Sequence, residues 1–143
     1  KNLRRSGTKL AVLFMDLDRF KEVNDTLGHD KGDQLLRQAA KRILTCVRES
    51  DTVARLGGDE FTVILTDIEN AASVERVAQS IVASLSQSFE LDGHLAVVSV
   101  SLGIAICPDH AGESAVLVQK ADQAMYAAKK AGRNGYQFSR SAI

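Results

Sequence analysis

Two acidic clusters in this chain have residue types and spacings that could do chemistry. One closes an apolar run, "VLFMDLDRF", and sets Asp16 and Asp18 two residues apart. The other is "RLGGDEF", where Gly57 and Gly58 are followed at once by Asp59 and Glu60. Residues i and i+2 of a strand share a face, so Asp16 and Asp18 point the same way if the strand persists to its end. A carboxylate ending a buried strand suits a divalent cation. Magnesium in particular takes one or two carboxylates, waters and substrate phosphates rather than an all-protein cage. Asp16, after a run that should be buried, favours the metal role, whereas Asp18 is as well suited to capping the next helix. Adjacent strand residues face opposite ways, which would keep Asp59 and Glu60 from sharing a ligand. Asp59 belongs to the turn, however, and the two glycines permit a path that aims it at the ion of Asp16 if the strands are neighbours. The glycines also let a phosphate or sugar lie against the backbone. An ordinary hairpin with solvated charges would explain the same residues without function. The surrounding elements have to decide.

The run from Lys9 to Asp16 is nearly all apolar and predicts a central strand covered on both faces. "RFKEVNDTLGHDKG" predicts a short helix closed by Gly28 and a polar loop. A long helix is expected from Asp33, where Leu36, Ala40, Ile43 and Val47 recur at helical spacing and Leu35, Ala39 and Leu44 widen the stripe. Asp51 to Arg55 and Glu60 to Thr66 form a hairpin, with Phe61, Val63 and Leu65 on one face. Asn70 to Ser88 is a second amphipathic helix, with Val74, Val77, Ile81 and Leu85 facing inward.

"HLAVVSVSLGIAIC" alternates as one strand. Ala96, Val98, Val100, Leu102, Ile104 and Ile106 share a face, and the opposite face is mostly small, as if something packs or binds close to the backbone. A final helix runs from about Glu113 to Ala131, and "GYQF" adds a last strand. The order β-α-α-β-β-α-β-α-β has a hairpin at its centre. That excludes an all-parallel sheet and favours an α+β domain, a mostly antiparallel sheet with helices on one side.

At 143 residues, with 45% hydrophobic and 25% charged residues, the chain is one soluble globular domain with a real core. Eighteen basic residues cancel eighteen acidic ones, which argues against a chain-wide grip on a nucleic acid polymer or an anionic membrane. The longest apolar run, Leu10 to Met15, is too short to span a bilayer, and there is no signal-peptide pattern. Cys46 and Cys107 read as reduced, small core residues of a cytosolic domain. The opening "KNLRRSGTKL" reads as the start of a piece of a longer protein.

Four motifs then come together: "RLGGDEF", "FMDLDRFKEVNDTLGHDKGD", "VSVSLGIAICP" and "ADQAMYAAKKAGRN". In this order and spacing they resemble the GGDEF domain of bacterial diguanylate cyclases over about Leu10 to Phe138. The resemblance implies a central, mainly antiparallel five-stranded sheet wrapped by helices, similar to class III nucleotidyl cyclases and the polymerase palm. It implies condensation of two GTP into cyclic di-GMP with release of two pyrophosphates, assisted by magnesium or manganese. It also implies a homodimer, because each domain holds half an active site.

Residue by residue, the resemblance assigns Asp16 and the Leu17 carbonyl to metal. Asp59 would bind metal and take the proton of the ribose 3′-hydroxyl, and Glu60 would assist with the second metal or the nucleophile. Lys21 would steady the transferring phosphate. Asn24 and Asp33 would read guanine, with His29 at the nucleotide pocket, and Lys129 and Arg133 would grip the outer phosphates. Those types suit the task, since in-line attack on an α-phosphate needs charge neutralisation and alignment more than covalent help. Asn24 and Asp33 together offer acceptors to guanine N1–H and N2–H₂ and a donor to O6, a pattern adenine cannot satisfy. Without the motif, Lys129 and Arg133 would be a solvated basic helix end, and His29 a surface loop residue. Arg48 and Asp51, in "RESD", stand where the family carries its product-inhibition Arg-x-x-Asp for cyclic di-GMP. By itself that pattern is equally a helix-end salt bridge.

The family's upstream Asp-x-Leu-Thr segment does not occur here. The C-terminal motif is similar to copies followed by a phosphodiesterase (EAL) domain, and sensory partners are expected in the longer protein. A second reading is a catalytically silent module that binds GTP or cyclic di-GMP and regulates an attached domain. A third is a structural dimerisation domain.

Overall fold

The computed structural model describes residues 8–140; the opening seven residues and the last three, which the single-domain expectation included, lie outside them. The elements are β1 (Lys9–Asp18), α1 (Phe20–Leu27), α2 (His29–Thr45), β2 (Thr52–Gly57), β3 (Glu60–Ile68), α3 (Ala71–Leu85), β4 (Phe89–Leu91), β5 (His94–Ala96), β6 (Ser99–Cys107), α4 (Ser114–Lys130) and β7 (Gly135–Phe138). Five strands form one sheet in the order β2-β3-β1-β6-β7, and β4 pairs with β5 separately. Every pairing in the main sheet is antiparallel except β6 with β7.

The near-continuous apolar character of β1 has a simple cause, since both its faces are covered. Ala11, Leu13, Met15 and Leu17 enter the larger core with Phe61, Val63 and Leu65 of β3 and the buried residues of α1, α2 and α3. Val12 and Phe14 point the other way, against Leu117, Ala121 and Met125 of α4. The expectation of helices on one side is therefore wrong. α4 takes the small-residue face of β6, where a Cβ on Gly103 would stand 2.1 Å from the Ala121 carbonyl oxygen and 2.2 Å from the Met125 nitrogen. What approaches that face is a helix backbone.

Two boundaries also differ from the periodicity. α2 begins at His29 rather than Asp33, so the polar "HDKG" is its first turn. Its only apolar signal is Gly32, which is buried because α1 crosses there: a Cβ would lie 1.8 Å from Asn24 Oδ1 and 3.3 Å from the Phe20 ring. Within α2, Leu35, Leu36, Ala39 and Ile43 are buried while Leu44 is 56% exposed, so the real stripe is narrower than the expected one. The alternating run before Pro108 is two strands. β5 folds back on β4 through Asp92 and Gly93, both at positive φ (52° and 87°), and β6 starts only at Ser99.

This small hairpin is tied to the helices at two points. Asp92 accepts from Gln34 at 2.7 Å and pairs with Lys31 at 3.2 Å. Arg42 stacks 3.6 Å over Phe89 while donating to the carbonyls of Ser84, Gln87 and Ser88 at 2.7–2.9 Å. Those last bonds satisfy carbonyls at and just beyond the end of α3 that have no partner within the helix. Both cysteines are free thiols. Among the described residues no helix is long and apolar enough to cross a membrane.

Candidate active site

The register of the sheet brings the two acidic clusters together. Asp16 lies opposite Glu60 on β3 and opposite Ser101 on β6, so all three side chains share the α4 side. The hairpin turn docks on the end of β1, where the Leu17 N–H donates to the Asp59 carbonyl at 3.2 Å. A strand residue's N–H and C=O point to the same side, so the Leu17 carbonyl also faces the turn. Gly57 (φ 149°) and Gly58 (φ 52°) make the path possible. A Cβ on either would meet nothing within 4 Å, so backbone conformation rather than crowding calls for glycine.

Asp59 carries the largest electrostatic perturbation at this site. Its carboxyl is pushed up to about 6, by burial first, then by the Asp16 carboxyl within hydrogen-bonding reach, then by Glu60. Asp16 Oδ2 accepts from the Lys129 ammonium, whereas Asp16 Oδ1 is buried without a donor. Burial works against the charge of Lys129, but its contact with Asp16 more than offsets this and raises its pKa. Two like charges pressed together, one with an unsatisfied buried oxygen, need either a proton or a cation between them. Hard carboxylate oxygens such as those of Asp16 and Asp59 suit a magnesium or manganese ion. Among the described residues no group of three or more His, Cys, Asp or Glu side chains surrounds one point.

Asp18 does not cap the next helix. Arg19 precedes α1 without any side-chain cap. The Asp18 carboxylate instead accepts from the hydroxyls of Ser99 (2.5 Å) and Ser101 (2.7 Å) and from the Asn134 N–H (3.1 Å). Arg133 Nε stands 3.9 Å away.

The nucleotide residues fall into two groups. Asn24 lies against Gly32, where α1 and α2 touch. Asp33 lines a cavity of about 460 Å³ between α2 and the β2–β3 hairpin, together with Arg37, Ala40, Val53, Arg55 and Phe61. Lys21 and His29 are exposed at the starts of α1 and α2 and stand outside both groups. Arg37 and Arg55 were not singled out in the sequence. The signal was there: Arg37 is four residues beyond Asp33, hence on the same helix face, and Arg55 immediately precedes "LGGDEF".

Arg48 and Asp51 form the closed pair that their spacing allows. The guanidinium meets the carboxylate at 2.9 and 3.2 Å and also donates to the Thr66 carbonyl, while the Arg48 N–H donates to Asp51 at 2.8 Å. Burial opposes ionisation of Asp51, yet the bonds from Arg48 hold its pKa below the usual carboxylate value. A cavity of about 220 Å³ adjoins the pair.

The family model described as "Diguanylate cyclase, GGDEF domain" matches residues 1–135. The chain belongs to the GGDEF family. This GGDEF domain is 50% identical over 126 residues to the diguanylate cyclase TpbB of Pseudomonas aeruginosa, a match covering 87% of the chain and 29% of that relative. It is 46% identical over 139 residues to MucR of the same species, a bifunctional diguanylate cyclase and cyclic di-GMP phosphodiesterase, covering 97% of the chain and 20% of MucR. The chain thus spans less than a third of the length of these relatives. Among solved structures, the isolated GGDEF domain of P. aeruginosa TpbB superposes with a TM-score of 0.91 at 47% identity, covering 93% of this chain and 78% of that one. The mainly antiparallel sheet wrapped by helices is thus the fold of the family.

Proposed function

We propose that this domain is the GTP-condensing half-site of a diguanylate cyclase. The observation that carries the reading is that Asp16 faces Glu60 across the strand pair and Asp59 in the adjoining turn, with Lys129 bonded to Asp16. In the proposed reaction the 3′-hydroxyl of one GTP attacks the α-phosphate of the other, a P–O bond to pyrophosphate breaks, and a second such step closes the ring. Asp59 accepts the hydroxyl proton. Asp16, Asp59, Glu60 and the Leu17 carbonyl would hold magnesium or manganese, which would neutralise developing phosphate charge. Lys129 and Arg133 bind the outer phosphates, Lys21 steadies the transferring group, and Asn24, Asp33 and His29 receive the guanosine. Arg48 and Asp51 form a separate site for the product.

The second nucleotide comes from a facing copy of the domain, and sensory or EAL domains elsewhere in the full protein would bring the copies together. Removal of the base tests the reading. Asp59→Asn should leave the fold intact and lower cyclic di-GMP formation from GTP by about 10²–10⁴-fold, the usual worth of a positioned general base. Undiminished turnover sinks the proposal. Tight GTP binding by the full-length parent protein without any product would instead favour the silent regulatory module.

A further inference from the structure

Asp18 is almost completely buried, and nothing in the reaction just described uses it. A carboxylate in such a place is costly unless donors surround it. Here the donors come from opposite directions. Ser99 and Ser101 are at the start of β6, and the Asn134 N–H belongs to the turn that follows α4. That turn is unusual in its backbone. Gly132, Arg133 and Asn134 carry φ values of 122°, 63° and 47°, and the two non-glycine residues occupy the left-handed region that side chains disfavour. The α4 end contributes two bonds of its own, from the Gly132 N–H to the Lys129 carbonyl and from the Arg133 N–H to the Ala128 carbonyl. Among the described residues, only the bond from the Asn134 N–H to Asp18 ties the turn's backbone to β1. A sheet strand could be closed at this point by any small neutral residue. A carboxylate adds a fixed acceptor for the turn and a charge that attracts Arg133 without clamping it, since Nε stays 3.9 Å away and the side chain 59% exposed.

We propose that Asp18 is a positioning residue for the triphosphate. Through Ser99, Ser101 and the Asn134 N–H it holds the turn in its left-handed path, and this aims the Arg133 guanidinium at the outer phosphates beside Lys129. The inference rests on the reading of Arg133 as a phosphate ligand and adds what sets its direction. Asp18 touches no reacting atom. Its effect should therefore appear in binding of the phosphates and not in binding of the base.

The test uses the full-length protein with magnesium and two calorimetric probes, guanosine and the non-hydrolysable α,β-methylene analogue of GTP. Asp18→Asn keeps the shape but replaces one acceptor oxygen with a donor. It should weaken the analogue about tenfold, the scale of one misdirected charge-assisted contact, while guanosine affinity stays within about twofold. Arg133→Ala should give a similar loss, and the double variant should be no worse than Arg133→Ala alone, because both act through one guanidinium. If Asp18→Asn fails to fold by thermal denaturation, the Ser99→Ala/Ser101→Ala pair, which leaves the carboxylate in place, is expected to show the same split. Unchanged analogue affinity in folded Asp18 or serine variants, with a loss in Arg133→Ala, overturns the positioning role and spares the reading of Arg133. Additive losses in the double variant overturn it too. An Arg133→Ala variant that binds the analogue as well as the parent removes the underlying reading and the inference with it.

Discussion

At the scale of single residues the site is a problem of like charges. Asp59 ordinarily titrates near 3.8, and in the folded domain it titrates at about 6. An acid whose folded pKa is raised contributes stability that is fully present below the unfolded value and is lost as pH rises through the folded one. In the window from roughly pH 4 to 6, then, the ligand-free domain loses the benefit of a protonated Asp59. At pH 7.5 it carries two facing carboxylates. Asp59→Asn should therefore stabilise the ligand-free domain at pH 7.5 by on the order of 1 kcal/mol, after discounting for solvent screening. The gain should shrink toward pH 5 in urea titrations. Magnesium should raise the melting temperature of the parent more at pH 7.5 than at pH 5, where a proton competes for Asp59, and an equal shift at both pH values would refute the pairing. Asp16 and Asp59 were legible in the sequence because both lie at the ends of strongly patterned strands. The role of Asp18 was not, because its donors lie 81, 83 and 116 residues away.

At the scale of elements, legibility followed the strength of the periodic signal. β1, β3, α3 and α4 were placed to within a few residues because long apolar stripes specify them. The first turn of α2 was missed because it is polar except for Gly32, whose burial depends on contact with α1. β4 and β5 were missed because three-residue strands carry no period, and the apolar run merged β5 into β6. The small face of β6 did announce a close neighbour without revealing what it was. That neighbour is α4, which also carries Lys129 to Asp16, so Gly103 links packing to the site. Gly103→Ala would drive a methyl into the backbone of α4 at Ala121 and Met125. It should cost about 1–3 kcal/mol or more, the range for overpacking a close-packed core, in urea unfolding. Because α4 would be displaced, it should also weaken GTP binding beyond what Lys129→Ala alone does. A Gly103→Ala domain of parental stability would show that the helix can move aside freely.

At the scale of the whole molecule, the Asp59 turn and the Arg48–Asp51 pair lie at opposite ends of the β2–β3 hairpin. The six residues of β2 separate them by about 20 Å, so no single side chain belongs to both places. The Asp51 side chain is covered and holds Arg48 in place, while the Arg48 side chain remains 54% exposed. The guanidinium is thus oriented before any ligand arrives, which lowers the ordering cost of binding an anionic or guanine-bearing molecule. Arg48→Ala should raise the cyclic di-GMP concentration needed for half-inhibition by about tenfold or more, the worth of one charge-assisted contact; an unchanged inhibition curve would remove the site. The catalytic end imposes a different constraint. In the proposed reaction each domain offers one set of Asp16, Asp59 and Glu60, and joining two nucleotides would take two such sets face to face. Mass action then makes the rate depend on encounter of two copies, so specific activity should fall roughly in proportion to dilution wherever the dimer is weak. Fusing the domain to a strong dimerisation helix should abolish that dependence. Specific activity that stays constant over about a hundredfold dilution, with light scattering reporting monomer throughout, would mean that one copy completes the reaction alone.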